Sequence, residues 1–264
     1  MKENTTAAIE VHNLSVTYDG KPAAWNIDYE LPQGKLIGVM GPNGSGKSTS
    51  IKAIMDLVPK ASGYARIFGK ELDEVRQRVA YVPQRGSVDW DFPASVLDTV
   101  LMGRLTKKNI FKRISKKDRD IALECIRKVR LDKYAHRQIS QLSGGQQQRV
   151  FIARALAQQA DLYLLDEPFA GVDASTEDAI ISILKEMKEE GKTVLVVHHD
   201  LQTAPNYFDW LVLMNTRLVA AGPMEETFTS EYLNEAFGGR LNILSQMGDL
   251  IKRKKYPIRE KKNK

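Results

Sequence analysis

The chain of 264 residues contains one cysteine, Cys125, so no disulfide can form within it. Such sparse cysteine fits a reducing compartment, where thiols stay free. Long apolar runs are missing too. Nowhere do about 18 apolar residues follow one another, so no helix is expected to span a bilayer. The opening MKENTTAAIEVHNL has polar and acidic residues where a secretory leader needs an apolar stretch. Of four histidines only His198 and His199 are adjacent, and His12, His136 and Cys125 show no ligand spacing, so no metal site built on histidine or cysteine is expected. These absences describe a chain expected to be soluble by itself. With 42% hydrophobic residues it can build one large domain, or one domain with an inserted lobe.

The formal charge of +6 suggests nucleic acid until its placement is read. The last fourteen residues, IKRKKYPIREKKNK, hold eight Lys or Arg and one Glu, a local +7 that leaves the other 250 residues at −1. No nucleic-acid footprint is expected on the body. The tail reads as a solvated terminus, or as a patch drawn to anionic headgroups or a membrane partner. Residues 106–119, dense in Lys and Arg, read as a solvated face.

Residues 9–31 alternate as strands do, with Trp25, Ile27, Tyr29 and Leu31 on one face after an Asp19-Gly20 turn. Apolar runs at 35–40, 162–165 and 193–197 predict strands buried on both faces, as in a parallel α/β sheet. A stripe of Ile51, Ile54, Met55 and Val58 predicts a helix stopped by Pro59, and a second helix is expected over 178–190, ended by Gly191. From about Arg85 to Gln159 charged helical patterns dominate, as over 116–129, which predicts a helical lobe inserted into the α/β core. The sheet pattern fades after about Gly239.

The strongest motif is Gly41-Pro42-Asn43-Gly44-Ser45-Gly46-Lys47-Ser48-Thr49, a G-x-x-x-x-G-K-[ST] phosphate loop between an apolar strand and an amphipathic helix. Glycines let backbone N–H groups turn inward around a polyphosphate, and the following helix points its positive end at the anion. Lys47 would neutralise the β- and γ-phosphates and Ser48 would ligate Mg²⁺. Leu162-Tyr163-Leu164-Leu165 then delivers Asp166 and Glu167 at a strand end. Asp166 would hold the magnesium shell, and Glu167 could polarise the attacking water. The run at 193–197 ends in His198-His199-Asp200, so three apolar runs bring polar groups to their carboxyl ends, where open α/β sheets bind ligands. Between the two histidines, His199 is expected to be the γ-phosphate sensor.

Leu142-Ser143-Gly144-Gly145-Gln146, continuing Gln147-Gln148-Arg149-Val150, resembles the signature of ABC ATPases, and Gln146 stands twenty residues before Asp166. Ser143 and the Gly144 and Gly145 amides would open a helix that can face an anion. Tyr18 resembles the aromatic that stacks on adenine, with a core-facing tyrosine as the alternative. Gln84 in Val82-Pro83-Gln84 matches the Q-loop glutamine that senses magnesium and water, Asp173 matches the D-loop aspartate, and His199 the switch histidine. The resemblance covers roughly residues 8–240. It implies a phosphate-loop NTPase cassette of α/β class, with a RecA-like mixed sheet core, an antiparallel β subdomain and an inserted helical subdomain. The expected boundaries are a domain at 1–240, with core 1–84 and 160–240 and helical subdomain 85–159, and a basic tail at 241–264.

The same resemblance implies ATP as ligand with Mg²⁺, and a head-to-tail homodimer in which each nucleotide lies between Lys47 of one copy and Ser143 of the other. It implies a polytopic permease as partner, an extracytoplasmic binding protein indirectly, and a peripheral place on the cytoplasmic face of the membrane. Soluble ABC machines fit less well. Translation-associated members carry two cassettes, and chromosome-associated members insert long coiled coils, whereas Lys47 and Ser143 here are only 96 residues apart. The stretch from Gln84 through Arg85, Trp90 and Phe92 to Pro93, with Phe169-Ala170-Gly171-Val172-Asp173, resembles the manganese- and zinc-uptake group. Importers of iron chelates, haem or cobalamin stand behind that reading. Trp90 and Phe92 would offer an apolar socket to a permease helix, or simply pack the lobe. Trp25 stands where relatives usually carry an aliphatic residue, and burial is its default.

Overall fold

The computed structural model describes residues 6–105 and 114–238; the basic tail, and the part of the basic stretch at 106–113, lie outside the described residues. The chain starts with a hairpin of β1 (Ile9–Tyr18) and β2 (Lys21–Leu31), whose loop residues Asp19 and Gly20 have φ of 50° and 74°. Positive φ at both loop positions matches the twist of a two-residue hairpin, which is why Asp-Gly serves there. Next come β3 (Leu36–Met40), α1 (Lys47–Ile54), β4 (Ser62–Ile67), the single turn α2 (Leu72–Val75) and β5 (Val79–Val82). A helical stretch follows with α3 (Val96–Leu101), α4 (Lys116–Lys128) and α5 (Gly144–Ala157). The chain then returns to sheet through β6 (Leu162–Leu165), α6 (Ala174–Glu189), β7 (Thr193–Val197), the short α7 (Ala204–Tyr207), β8 (Trp210–Asn215) and β9 (Arg217–Pro223). It closes on α8 (Met224–Thr227) and α9 (Ser230–Phe237).

Two sheets result: an antiparallel one ordered β2-β1-β4, and a six-stranded one ordered β5-β6-β7-β3-β8-β9. In the larger sheet only β9 runs antiparallel to its neighbour. Every residue of β3, β6 and β7 is buried, the condition that uniform apolarity anticipates. Pairings Val82↔Leu165, Leu165↔Val196 and Val39↔Val197 bring the carboxyl ends of β5, β6, β7 and β3 to one edge. That edge is the crevice side of an open α/β sheet, and four functional segments open onto it. In the helical lobe, Val96, Val100, Ile126, Val150 and Ile152 bury against one another in a core continuous with one face of the large sheet.

Three local expectations differ from what forms. Trp25 is 41% exposed, not buried. Between the pairs Leu14↔Ile27 and Val16↔Ala24 the register slips, and Asn26 has φ 48°, so a bulge in β2 turns Ala24 inward in place of Trp25. α1 ends at Ile54, a turn before Pro59. Asp56, at φ 53°, donates from its N–H to Ala53 O, and the Leu57 N–H reaches Lys52 O, a left-handed cap that stops the helix sooner than proline does. α6 begins at Ala174, a turn before position 178, because Asp173 caps it.

Candidate functional site

The loop at 41–49 joins β3 to α1. The Lys47 side chain is buried and its ammonium donates to Gly41 O at 2.9 Å and Pro42 O at 2.8 Å, which centres it in the loop. Ser45 N–H donates to Pro42 O, and Thr216 N–H to Ser45 O, tying the loop to the β8–β9 turn. Asn43 and Gly44 form its exposed tip, and Ser48 and Thr49 are half-buried in the first turn of α1. Gly46 has φ 91°, and a β-carbon there would meet Ala23 O of β2 at 2.2 Å, so only glycine lets loop and hairpin approach this closely. Burial holds the Lys47 pKa below its ordinary value, against the opposing pull of Glu167 and Asp166.

At the end of β6, Asp166 is fully buried and its Oδ1 accepts from Ser48 Oγ at 2.6 Å. Burial raises its pKa, while the Ser48 hydroxyl and the Lys52 and Lys47 charges work the other way. Glu167 follows in the left-handed region at φ 51°, before Pro168, a costly conformation for a side-chain-bearing residue. From β5, Gln84 Nε2 donates to Glu167 Oε2 at 2.7 Å. The structure therefore joins Lys47, Ser48, Asp166, Glu167 and Gln84 into one cluster. Two buried oxygens of this region, Ser45 Oγ and Asp166 Oδ2, have no hydrogen-bond partner among the described residues. Orphaned buried polar groups are costly; the Ser45 hydroxyl and the Lys47 ammonium can donate to phosphate oxygens, and the Ser48 hydroxyl and Asp166 carboxylate suit a hard divalent cation.

The two histidines separate. His198 is buried, its Nε2 lies 2.8 Å from Thr203 Oγ1, and Phe169, Tyr207 and Phe208 surround its ring. His199 is exposed beside it at the end of β7. Tyr18 ends β1 at 47% exposure and so does not face the core. Ser143 caps α5: its Oγ accepts from Gln146 N–H at 3.4 Å, and Gln146 Oε1 accepts from Ser143 N–H at 3.0 Å. A β-carbon on Gly145 would lie 3.3 Å from Thr176 Cγ2, so this turn packs on the segment that Asp173 begins. Asp173 accepts from Ser175 Oγ, Thr176 N–H and Thr176 Oγ1, which hold its carboxyl down at about 2. Among the described residues no hydrogen bond joins Ser143 or Asp173 to the 41–49 loop of the same chain.

A groove of about 400 Å³ lies between the lobe and the sheet, lined by Gln84, Arg85, Val88, Trp90, Ala170 and Gly171. Trp90 packs edge-on against Phe151 of α5 and its indole N–H donates to Arg85 O at 2.9 Å, so it braces the lobe. Phe92 stays 53% exposed. Sequence reasoning left Arg85 without a role, although its guanidinium donates to Gln147 Oε1 at 3.0 Å on α5. Its place directly after Gln84 was the available signal.

A lysine-centred loop, a strand-end carboxylate against the loop's serine and a parallel sheet define a nucleoside triphosphatase of the phosphate-loop class. Residues 25–170 match the family described as ABC transporter. The manganese transport system ATP-binding protein MntB of Bacillus subtilis is 58% identical over 236 residues, 89% of this chain and 94% of that protein. The zinc transport system ATP-binding protein TroB of Treponema pallidum is 52% identical, with 90% of each chain covered. Among solved structures, the dimeric structure of a bacterial ABC transporter cassette superposes with a TM-score of 0.71 at 30% identity, covering 82% of this chain and 98% of that one. The chain belongs to the ABC transporter family, as an ATP-hydrolysing cassette subunit.

Proposed function

We propose that this subunit powers import of a divalent metal ion, manganese, zinc or iron, through a membrane permease. The observation that carries the reading is identity of 58% and 52% with subunits named for manganese and zinc transport, over nine-tenths of the chain. No helix among the described residues is long and apolar enough to cross a membrane, so passage of the cargo falls to a partner. The chain would sit peripherally at the cytoplasmic face, with its groove and Phe92 turned to the permease, and would meet an extracytoplasmic binding protein only through it.

In this reading the loop amides and Lys47 bind the β- and γ-phosphates of ATP, and Tyr18 stacks on the base. Ser48, Asp166 and Gln84 would hold Mg²⁺. When bound, that ion supplies neutralising charge to the phosphate oxygens. Glu167 takes a proton from the attacking water as general base, and the amide of Gln84 fixes one carboxylate oxygen so that the other is aimed. His199 positions the γ-phosphate. A second copy of the chain, packed head to tail, contributes Ser143, Gly144, Gly145 and Gln146 over the nucleotide, and Asp173 acts across the same interface. ATP joins the halves and hydrolysis releases them, a ligand-driven population shift.

The test of the cargo is accumulation of manganese, zinc and iron in cells with and without this subunit. A selective deficit in one of these ions upon its removal is the expected result. Equal uptake of all three would overturn the metal reading.

A further inference from the structure

We propose that Arg85 is a positioning residue that passes the placement of Gln84 to the Ser143-Gly144 turn, so that the two halves of the composite nucleotide site are set together. The proposal rests on the head-to-tail dimer described above. Arg85 follows Gln84, whose side chain holds Glu167, yet its own guanidinium leaves the β5 edge and lies on the first turn of α5. Three observations fix it there. Nη2 donates to Gln147 Oε1 at 3.0 Å, and Gln147 is itself buried and anchored by its Nε2 on Ile139 O at 3.1 Å. Trp90 donates its indole N–H to the Arg85 carbonyl and packs on Phe151 of α5, so backbone and side chain are tied to the same helix. Finally, the guanidinium covers Gly144. A β-carbon built there would stand 2.8 Å from Cζ, 2.9 Å from Nη1 and 3.1 Å from Nη2.

Gly144 has no left-handed φ to explain its glycine. As the first residue of α5 it occupies a position where alanine is conformationally ordinary. A side chain here would therefore push the Arg85 guanidinium off the turn, so glycine is what lets this contact form. A planar, rigid fork lying flat on a glycine is a contact that lysine cannot reproduce. Movement of the Gln84 segment, which also lines the groove, must shift the signature turn or break this contact. Coupling through a packed chain of this kind is physical because each link is a direct contact.

The experiment uses the full chain carrying Glu167→Gln, which is expected to retain ATP without splitting it. Analytical ultracentrifugation follows ATP-driven dimerisation, and a fluorescent ATP analogue at low protein concentration reports affinity of the single chain. Arg85→Ala and Arg85→Lys are expected to leave single-chain affinity and thermal unfolding near the parent. Both should raise the ATP concentration for half-dimerisation about tenfold. Gly144→Ala should weaken dimerisation similarly. Adding Arg85→Ala to it should bring no further loss beyond Gly144→Ala alone, because both changes break the same contact. Parent-like dimerisation of both arginine variants, or a double variant as impaired as the sum of the singles, overturns the role of Arg85. If the Glu167→Gln parent itself fails to dimerise with ATP, the dimer reading fails instead, and the two failures are thus distinguished.

Discussion

Glu167 is held at φ 51° ahead of a proline, and an expense of about 1–3 kcal/mol of backbone strain is tolerated only where surrounding structure enforces it. Here β6, the buried Asp166 and the Gln84 amide enforce it, and the result is a carboxylate aimed along the sheet edge. Glu167→Gln should lower turnover by about 10²–10⁴-fold while ATP binding persists, as measured by phosphate release against equilibrium nucleotide binding. Unchanged hydrolysis would remove Glu167 from the role. His198 supplies a second test. Burial first, then the neighbouring His199, holds its pKa down at about 4, against an ordinary 6.5, with Asp200 pulling the other way. Between those values the unfolded chain takes up a proton that the folded chain refuses. Stability from the neutral ring is thus complete above pH 6.5 and drains away as the pH falls towards 4. The loss should be on the order of 3 kcal/mol, read by urea unfolding across that window. His198→Phe, which fits an aromatic cage and cannot titrate, should flatten the slope; an unchanged slope would assign it elsewhere. At this scale the sequence spoke clearly about the loop and the strand-end acids, whose spacing is local. It was silent on Arg85 and Thr203, because their partners are brought near only by folding.

Strands buried on both faces advertise themselves. The apolar runs at 35–40, 162–165 and 193–197 became β3, β6 and β7 to within a residue, since nothing polar survives in such a position. β4 went unread because SGYARI is mostly exposed and shows no apolar alternation, and β5 is only four residues long. Helix interiors were legible and their ends less so. α1 stops at a left-handed aspartate that composition does not announce, and α6 starts early on the cap Asp173, the residue proposed to act across the dimer interface. In α4 the box of Ser115 and Asp118 sets the start: the Ser115 Oγ accepts from Asp118 N–H at 3.1 Å. Ser115→Ala should cost about 1 kcal/mol in chemical denaturation and leave nucleotide binding unaltered. A loss of ATP affinity in that variant would mean that the lobe and the phosphate loop are coupled more tightly than their separate contacts indicate.

As a whole molecule the cassette presents two faces. One is the sheet edge, where loops from four strands converge. The other is the groove at the lobe, beside which Phe92 stands exposed while Trp90 is consumed in packing. Phe92→Ala should therefore leave the stability of the isolated chain within about 0.5 kcal/mol of the parent. Association with the proposed permease should weaken by about 1 kcal/mol or more. Co-purification with the permease and thermal unfolding of the free chain separate these effects, and undiminished association would move the docking site off Phe92.

The seam between Gly46 and Ala23 has a wider consequence. The hairpin that ends in Tyr18 and the turn that cradles Lys47 touch backbone to backbone, with no side chain between them to act as a cushion. Any sliding of one past the other is blocked at this point, so if Tyr18 takes the base and the loop the polyphosphate, as proposed, one seam would gauge both. Deleting the bulge residue Asn26 would shift Ala23 against Gly46, and in that reading would change nucleotide affinity without altering one of the residues proposed to hold it.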